Sequence, residues 1–231
     1  MTTIENNLQA MRARIAAACQ DAGRDVSQVQ LLAVSKTFPA ASVQQALDAG
    51  QRDFGENYIQ EAVAKIGELA GMPAVWHCIG PIQGNKTRLV AEHFDWAQSV
   101  DRLKIAQRLS DQRPAHLAPL QVCIQVNTDG GPTKAGVTPE ALPELARAIS
   151  RLPRLRLRGL MTIPEPAADF TSAFALHARA RALFDALNAQ GLALDTLSMG
   201  MSADVEAAIH AGSTMVRVGT AIFGGRTRTT A

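Results

Sequence analysis

Short β-branched runs alternate with Ala-rich helical stretches along the whole chain, and that alternation leaves few folds open. Gln30–Ser35 precedes a helix from Ala41, Asp53–Gly55 one from Ile59, and Val75–Ile79 one from Asn85. Asp95–Val100 precedes a helix from Arg102. Leu120–Val126 precedes a helix opened by Thr138-Pro139-Glu140, with Thr138 as cap and proline in the first turn. Leu155–Met161 leads to a long helix carrying Phe170, Phe174, Phe184 and Leu187. Leu194–Ser198 leads to a helix from Ala203, capped by Ser202 and stopped at Gly212, and Met215–Val218 is the last strand. Strand–helix alternation implies a parallel sheet. About eight such units in one chain of this length fit a single (β/α)8 TIM-type barrel better than a doubly wound open sheet. In front of them lies an amphipathic helix over 1–23, with Ile4, Leu8, Met11 and Ile15 at helical spacing and Gly23 as its stop.

The chain has 231 residues, ordinary for one barrel domain, and no linker or repeat divides 1–231; residues 225–231 read as a frayed tail. With 47% hydrophobic and 19% charged residues it is globular. A net charge of +2 gives no reason to expect nucleic acid or an anionic membrane as partner. The polar start, with Glu5, is not a signal peptide, and no apolar run is long enough for a bilayer. Cys19, Cys78 and Cys123 match no zinc or redox spacing and read as buried thiols. A cytoplasmic location is the default that follows.

In a parallel barrel, ligands sit at the C-terminal strand ends. Lys36 falls there after strand one, Glu56 and Asn57 after strand two, His77 and Gly80 at strand three, Asn127 after strand five, Ser198 at strand seven, and Arg217, Gly219 and Thr220 at strand eight. Lys36 closes the apolar run LLAVS. Partial desolvation there favours the neutral amine, which attacks aldehydes. A lysine snorkelling to the rim is the plainer reading of its position alone. Strand eight shifts the balance. Arg217 lies between two valines and needs a partner, while the Gly219-Thr220 turn lets backbone amides approach an anion. Together with a hydroxyl from Ser198, these residues form a set suited to pyridoxal 5′-phosphate (PLP): an imine on Lys36, a phosphate cup, and a partner for the pyridine nitrogen.

The remaining candidates are weaker. His77 reads as packing beneath the pocket rather than as a base. No histidine pair has metal-ligand spacing, so no metal is expected. Arg151, Arg154, Arg156 and Arg158 read as a solvated face, and Lys86 and Lys134 as surface lysines able to draw in an anion.

The segments LLAVSKTFPA (31–40), FGENYIQEA (54–62), WHCIGPIQGNK (76–86), RGLMTIP (158–164) and LSMGMSADVEAAIHAGSTMVRVGTAIFG (197–224) carry a resemblance to the YggS/PROSC proteins, the PLP homeostasis family. The resemblance covers nearly the whole chain in order. It implies a barrel similar to the N-terminal domain of alanine racemase. It also implies Lys36 as the Schiff-base lysine, Arg217 at the pyridine nitrogen, Ser198, Gly219 and Thr220 about the phosphate, and Asn57 near the cofactor. Cys78 stands where the family commonly has an aromatic and Ile82 where it has leucine, both expected on the pocket wall; 129–136 is a looser form of a family loop.

A cationic partner disfavours protonation of the pyridine ring and so restrains carbanion chemistry. A racemase needs acid/base groups on both faces of the substrate carbon. This chain has a single tyrosine, Tyr58, and no second domain is expected to complete the site. The expected function is therefore a PLP carrier in vitamin B6 homeostasis, able to deliver PLP to apo-enzymes, monomeric or weakly dimeric, with little or no catalysis. A PLP-dependent racemase is the alternative. A cofactor-free Schiff-base aldolase would leave strand eight unexplained.

Overall fold

Eight parallel strands close into one barrel in sequence order, β1 through β8, in a computed structural model that describes residues 2–130 and 135–225. The strands are β1 (Gln30–Val34), β2 (Asp53–Glu56), β3 (Val75–Cys78), β4 (Trp96–Val100), β5 (Leu120–Gln125), β6 (Leu155–Met161), β7 (Thr196–Ser198) and β8 (Met215–Val218). The pairing of β1 with β8, Leu32 beside Arg217, seals the barrel. The expected barrel architecture is the observed one, and the open-sheet alternative is excluded by that closure.

The helices are α1 (Thr3–Asp21), α2 (Ala40–Asp48), α3 (Ile59–Glu68), α4 (Thr87–His93), α5 (Leu103–Gln112), α6 (Leu142–Ser150), α7 (Phe170–Ala189), α8 (Val205–His210) and α9 (Thr220–Phe223). In α1, Thr2 and Glu5 form a reciprocal capping box, and Ile4, Leu8, Met11 and Ile15 are buried as their spacing requires. Two helix starts differ from expectation. Thr138 does not cap α6: residues 139–141 form a turn, and the proline in the first turn of the helix is Pro143. The residue preceding α8 is Asp204 rather than Ser202, and its carboxylate accepts from the Met201 amide.

The main core lies between the strands and the surrounding helices, where Leu8, Phe54, Phe94, Leu109, Leu120 and Ile149 are fully buried or nearly so. The barrel interior holds a second, small cluster of Trp96, Cys123 and Met161. His77 stacks on Trp96, with ring centroids 5.0 Å apart. All three cysteines are buried and unpaired, and burial pushes the Cys78 and Cys123 thiols up to about 12, so neither is a thiolate at neutral pH. Gly159 on β6 is required by contact: a Cβ there would lie 1.6 Å from the Thr196 carbonyl oxygen of β7. Of the expected tail, 226–231 lie outside the described residues, as does Lys134. No helix among the described residues is long and apolar enough to cross a membrane.

Candidate functional site

A cavity of about 350 Å³ opens at the C-terminal ends of the strands. Lys36 and Asn57 line it from the ends of β1 and β2, Arg217 from β8, and Gly219 and Thr220 from the turn into α9. Apolar wall is supplied by Val34, Ile79, Ile163 and Met201. The fold thus brings five of the six expected ligand residues to one concave surface. The sixth, Ser198, is not on the wall. It is buried on β7, one layer below, and its carbonyl and hydroxyl accept from Arg217 Nη1 at 2.7 and 2.8 Å. The serine hydroxyl on the cavity wall belongs to Ser202 instead, four residues on, where the loop after β7 turns outward. Cys78 and Ile82 do not line the cavity either; both pack into the main core.

Arg217 is buried inside the barrel. Its Nη2 donates to the Thr162 carbonyl at 2.7 Å, so all of its bonds to protein go to neutral oxygens. It makes no ion pair among the described residues. Burial pulls its pKa down to about 10, with Asp204 opposing, so it stays charged at neutral pH. A buried cation with only neutral partners is one that an anion or a polar acceptor at the cavity would stabilise.

Behind Arg217 runs a one-way chain of hydrogen bonds. Ser198 Oγ donates to Gln98 Oε1 at 2.7 Å. Gln98 Nε2 meets His77 Nδ1 at 2.9 Å, and His77 Nε2 meets Asp53 Oδ1 at 3.1 Å. Gln98 must therefore donate to Nδ1, and the histidine proton lies on Nε2, facing Asp53. Every donor points from the cation at one end to the carboxylate at the other, an alignment in which the dipoles reinforce each other. Burial lowers the His77 pKa against the pull of Asp53 and Asp95. His77 thus lies beneath the cavity, as expected, but it is oriented on both ring nitrogens. Its partners are 21 and 24 residues away, out of reach of a local reading.

A second polar group surrounds the residues next to Lys36. Lys65 Nζ, itself buried, bonds Glu56 Oε1 at 2.6 Å and the Ser35 carbonyl at 3.0 Å, and Ser35 Oγ donates to Glu56 Oε1 at 2.6 Å. Burial raises the Glu56 pKa, with Lys65 and Ser35 opposing. Asn57 is held by close backbone packing, since a Cβ at Gly80 would meet the Asn57 carbonyl oxygen at 2.3 Å. Its side-chain Oδ1 is buried without a hydrogen-bond partner, although the residue borders the cavity. An orphaned acceptor there fits a ligand that brings a donor.

The arginine cluster disperses. Arg158 pairs with Asp195 at 2.7 Å and lies over Trp96, 4.7 Å from the ring, while Arg154 donates to the Arg113 carbonyl. Lys86 sits in the short helical turn after β3, off the cavity wall. No group of three or more His, Cys, Asp or Glu able to hold a metal occurs among the described residues.

The fold and the position of the cavity define a class, and sequence comparison agrees. Residues 6–227 match the family described as alanine racemase, N-terminal domain, and the chain belongs to that family. Its place within the family is narrower. The chain is 62% identical over 226 residues to the pyridoxal phosphate homeostasis protein of Pseudomonas aeruginosa, covering 98% of this chain and 97% of that one, and it is a member of the PLP homeostasis group. Among solved structures, PipY of Synechococcus elongatus with PLP bound superposes with a TM-score of 0.83 at 39% identity, over 96% of this chain and 100% of PipY. An alanine racemase of Clostridium difficile shares the fold, with a TM-score of 0.75 at 15% identity, and this chain spans 58% of it.

Proposed function

We propose that this chain binds PLP as a Schiff base on Lys36 and serves in cytoplasmic PLP homeostasis, holding the reactive aldehyde and passing it to apo-enzymes, as a monomer with little or no catalysis. One observation carries the reading. A half-buried amine, a buried cation with neutral partners and a Gly-Thr turn share one otherwise largely apolar cavity. Each matches one part of PLP: Lys36 its aldehyde, Arg217 its pyridine nitrogen, and Gly219, Thr220 and the Ser202 hydroxyl its phosphate. Asn57 also lines the cavity, and its side-chain amide suits the ring's phenolic oxygen. The volume, about 350 Å³, lies within the ordinary range for a small ligand. When bound, PLP supplies an aldehyde and an electron-withdrawing ring. The names of the relatives, and the PLP-bound state of PipY, support the same ligand here.

The case against catalysis rests on the wall. Among the described residues that line the cavity, Lys36 is the one side chain able to act as a general base. Tyr58 is 54% exposed and off the wall, and His77 lies buried beneath it. Arg217 remains a cation and a hydrogen-bond donor, so it holds the ring nitrogen without giving it a proton.

The test is spectroscopic. Protein mixed with PLP is expected to show a visible band that borohydride abolishes, leaving a pyridoxyl group on Lys36 by peptide mapping. Lys36→Ala is expected to show neither. A colourless parent protein, or an adduct on another lysine, would refute the assignment. Transfer of the bound PLP to an apo-enzyme faster than PLP dissociates into buffer is the further expectation for a carrier.

A further inference from the structure

Lys36 sits at the second position of a tight turn. The Phe38 amide donates to the Ser35 carbonyl at 3.1 Å and closes it. The third position, Thr37, has φ of +68°, and it is the one non-glycine residue with positive φ among the described residues. Turns with positive φ at this position favour glycine, because a β-branched side chain is strained there. Strain of this kind persists only where the surroundings hold it.

The restraints are visible. Glu61 Oε1, from the first turn of α3, accepts the Thr37 amide at 2.9 Å. Lys65, one helical turn on, lies 3.4 Å from that same oxygen and donates to the Ser35 carbonyl on the other side of Lys36. Phe38 stacks on Phe223 of α9, with centroids 5.1 Å apart, tying the turn to the helix that opens at Thr220. Both neighbours of Lys36 are therefore gripped from α3, while the far end of the turn is fixed to α9, which follows the neighbouring strand β8. The α3 groups do not touch the cavity themselves.

We propose that Glu61, backed by Lys65, is a positioning residue: it holds the Lys36 turn in its strained form and so sets the reach of the Lys36 amine relative to the 219–220 turn. The proposal rests on Lys36 being the attachment lysine. PLP bound at both ends needs a fixed spacing between amine and phosphate subsite, and a turn relaxed to negative φ at Thr37 would change it.

The experiment compares the parent protein, Glu61→Ala, Glu61→Gln, and Glu61→Ala combined with Thr37→Gly. Three probes are used: PLP titrated by its visible band, inorganic phosphate by calorimetry, and reductive methylation of Lys36 with formaldehyde and cyanoborohydride. Glu61→Ala is expected to weaken formation of the PLP adduct roughly tenfold, the ratio that one unfavourable left-handed residue corresponds to. Phosphate affinity and methylation of Lys36 stay within about twofold, since neither needs the two subsites in register. Glu61→Gln keeps an acceptor for the Thr37 amide and is expected to behave as the parent. Thr37→Gly, which removes the strain, is expected to restore adduct formation in the Glu61→Ala background. If Glu61→Ala forms the adduct as well as a coloured parent does, or if glycine fails to rescue it, the positioning role is overturned and the function stands. A parent that binds phosphate and is methylated at Lys36 but never colours with PLP overturns the function, and the positioning role with it.

Discussion

Arg217 shows how much of the cavity wall depends on residues that do not line it. Its orientation is set by Ser198 and Thr162, and Ser198 in turn is fixed through Gln98 and His77 to Asp53 at the start of β2. Removing Gln98 as Leu would leave the Ser198 hydroxyl proton and His77 Nδ1 each without a partner. Two unsatisfied buried groups of this kind cost about 1–3 kcal/mol each, so Gln98→Leu is expected to lower the urea midpoint and loosen Arg217. His77 makes the chain pH-sensitive. Burial holds its folded-state pKa below the ordinary value, so the unfolded chain takes up that proton first. Its share of the stability is whole above pH ~6.5 and is lost as pH falls toward the folded pKa, by at most about 1.4 kcal/mol per pH unit. Urea unfolding from pH 7.5 to 5, compared with His77→Gln, isolates this share. The variant's stability should fall less steeply with acid, and parallel curves would remove His77 as the cause.

At the scale of elements, the strands were legible because most are short apolar runs buried against helices, and their order followed from strand–helix alternation alone. Lys36, Asn57, Arg217, Gly219 and Thr220 were legible for the same reason: they stand at strand ends, and the barrel brings strand ends together. What resisted reading was anything decided within two to four residues or across the barrel. Ser198 and Ser202 have the same chemistry, and only the outward turn of the loop after β7 puts the second on the cavity wall. Thr138 and Pro139 look like a helix start, yet Pro143 opens α6 equally well and packing chose it. Gln98 looks like any polar strand residue, and its partner Ser198 lies 100 positions away. The role of α1 was hidden for a like reason. Its Arg14 bonds Glu206 of α8 and donates to the Ser202 carbonyl at 2.8 Å, and its Asn7 donates to the Ile222 carbonyl in α9 at 2.9 Å. The extra helix thus braces the two segments that present Ser202 and Thr220. Arg14 and Glu206 are 35% and 40% exposed, so Arg14→Ala should cost about 1 kcal/mol or less in stability. The same change should weaken inorganic phosphate binding severalfold by calorimetry, because it frees the Ser202 loop. Unchanged phosphate affinity would leave α1 as packing alone.

Over the whole molecule, closure of the sheet couples these parts. Each strand is held on both sides, and the polar chain crosses the interior from Asp53 at the start of β2 to Arg217 near the end of β8. No strand can leave without opening two ladders, so the sheet itself opens only with the whole fold. Much of the exposed apolar surface lies on segments that follow β2, β6 and β7, where Tyr58, Ile163, Phe170, Phe174 and Met201 are all more than a third exposed; Val26 and Met72, ahead of β1 and β3, add to it at the other end. Two consequences can be measured together. Thermal unfolding should be a single cooperative transition, with circular dichroism and tryptophan fluorescence superimposing, because Trp76 and Trp96 sit in the outer and inner cores of the same barrel. PLP at about a hundred times its Kd should then stabilise the entire fold by about 2.7 kcal/mol, raising Tm by roughly 5–10 °C for a chain of this size. Lys36→Ala should lose most of that rise while keeping the single transition. Two separated transitions, or a PLP shift seen by only one probe, would mean that the ligand stabilises a part and that closure of the sheet does not carry its effect through the barrel.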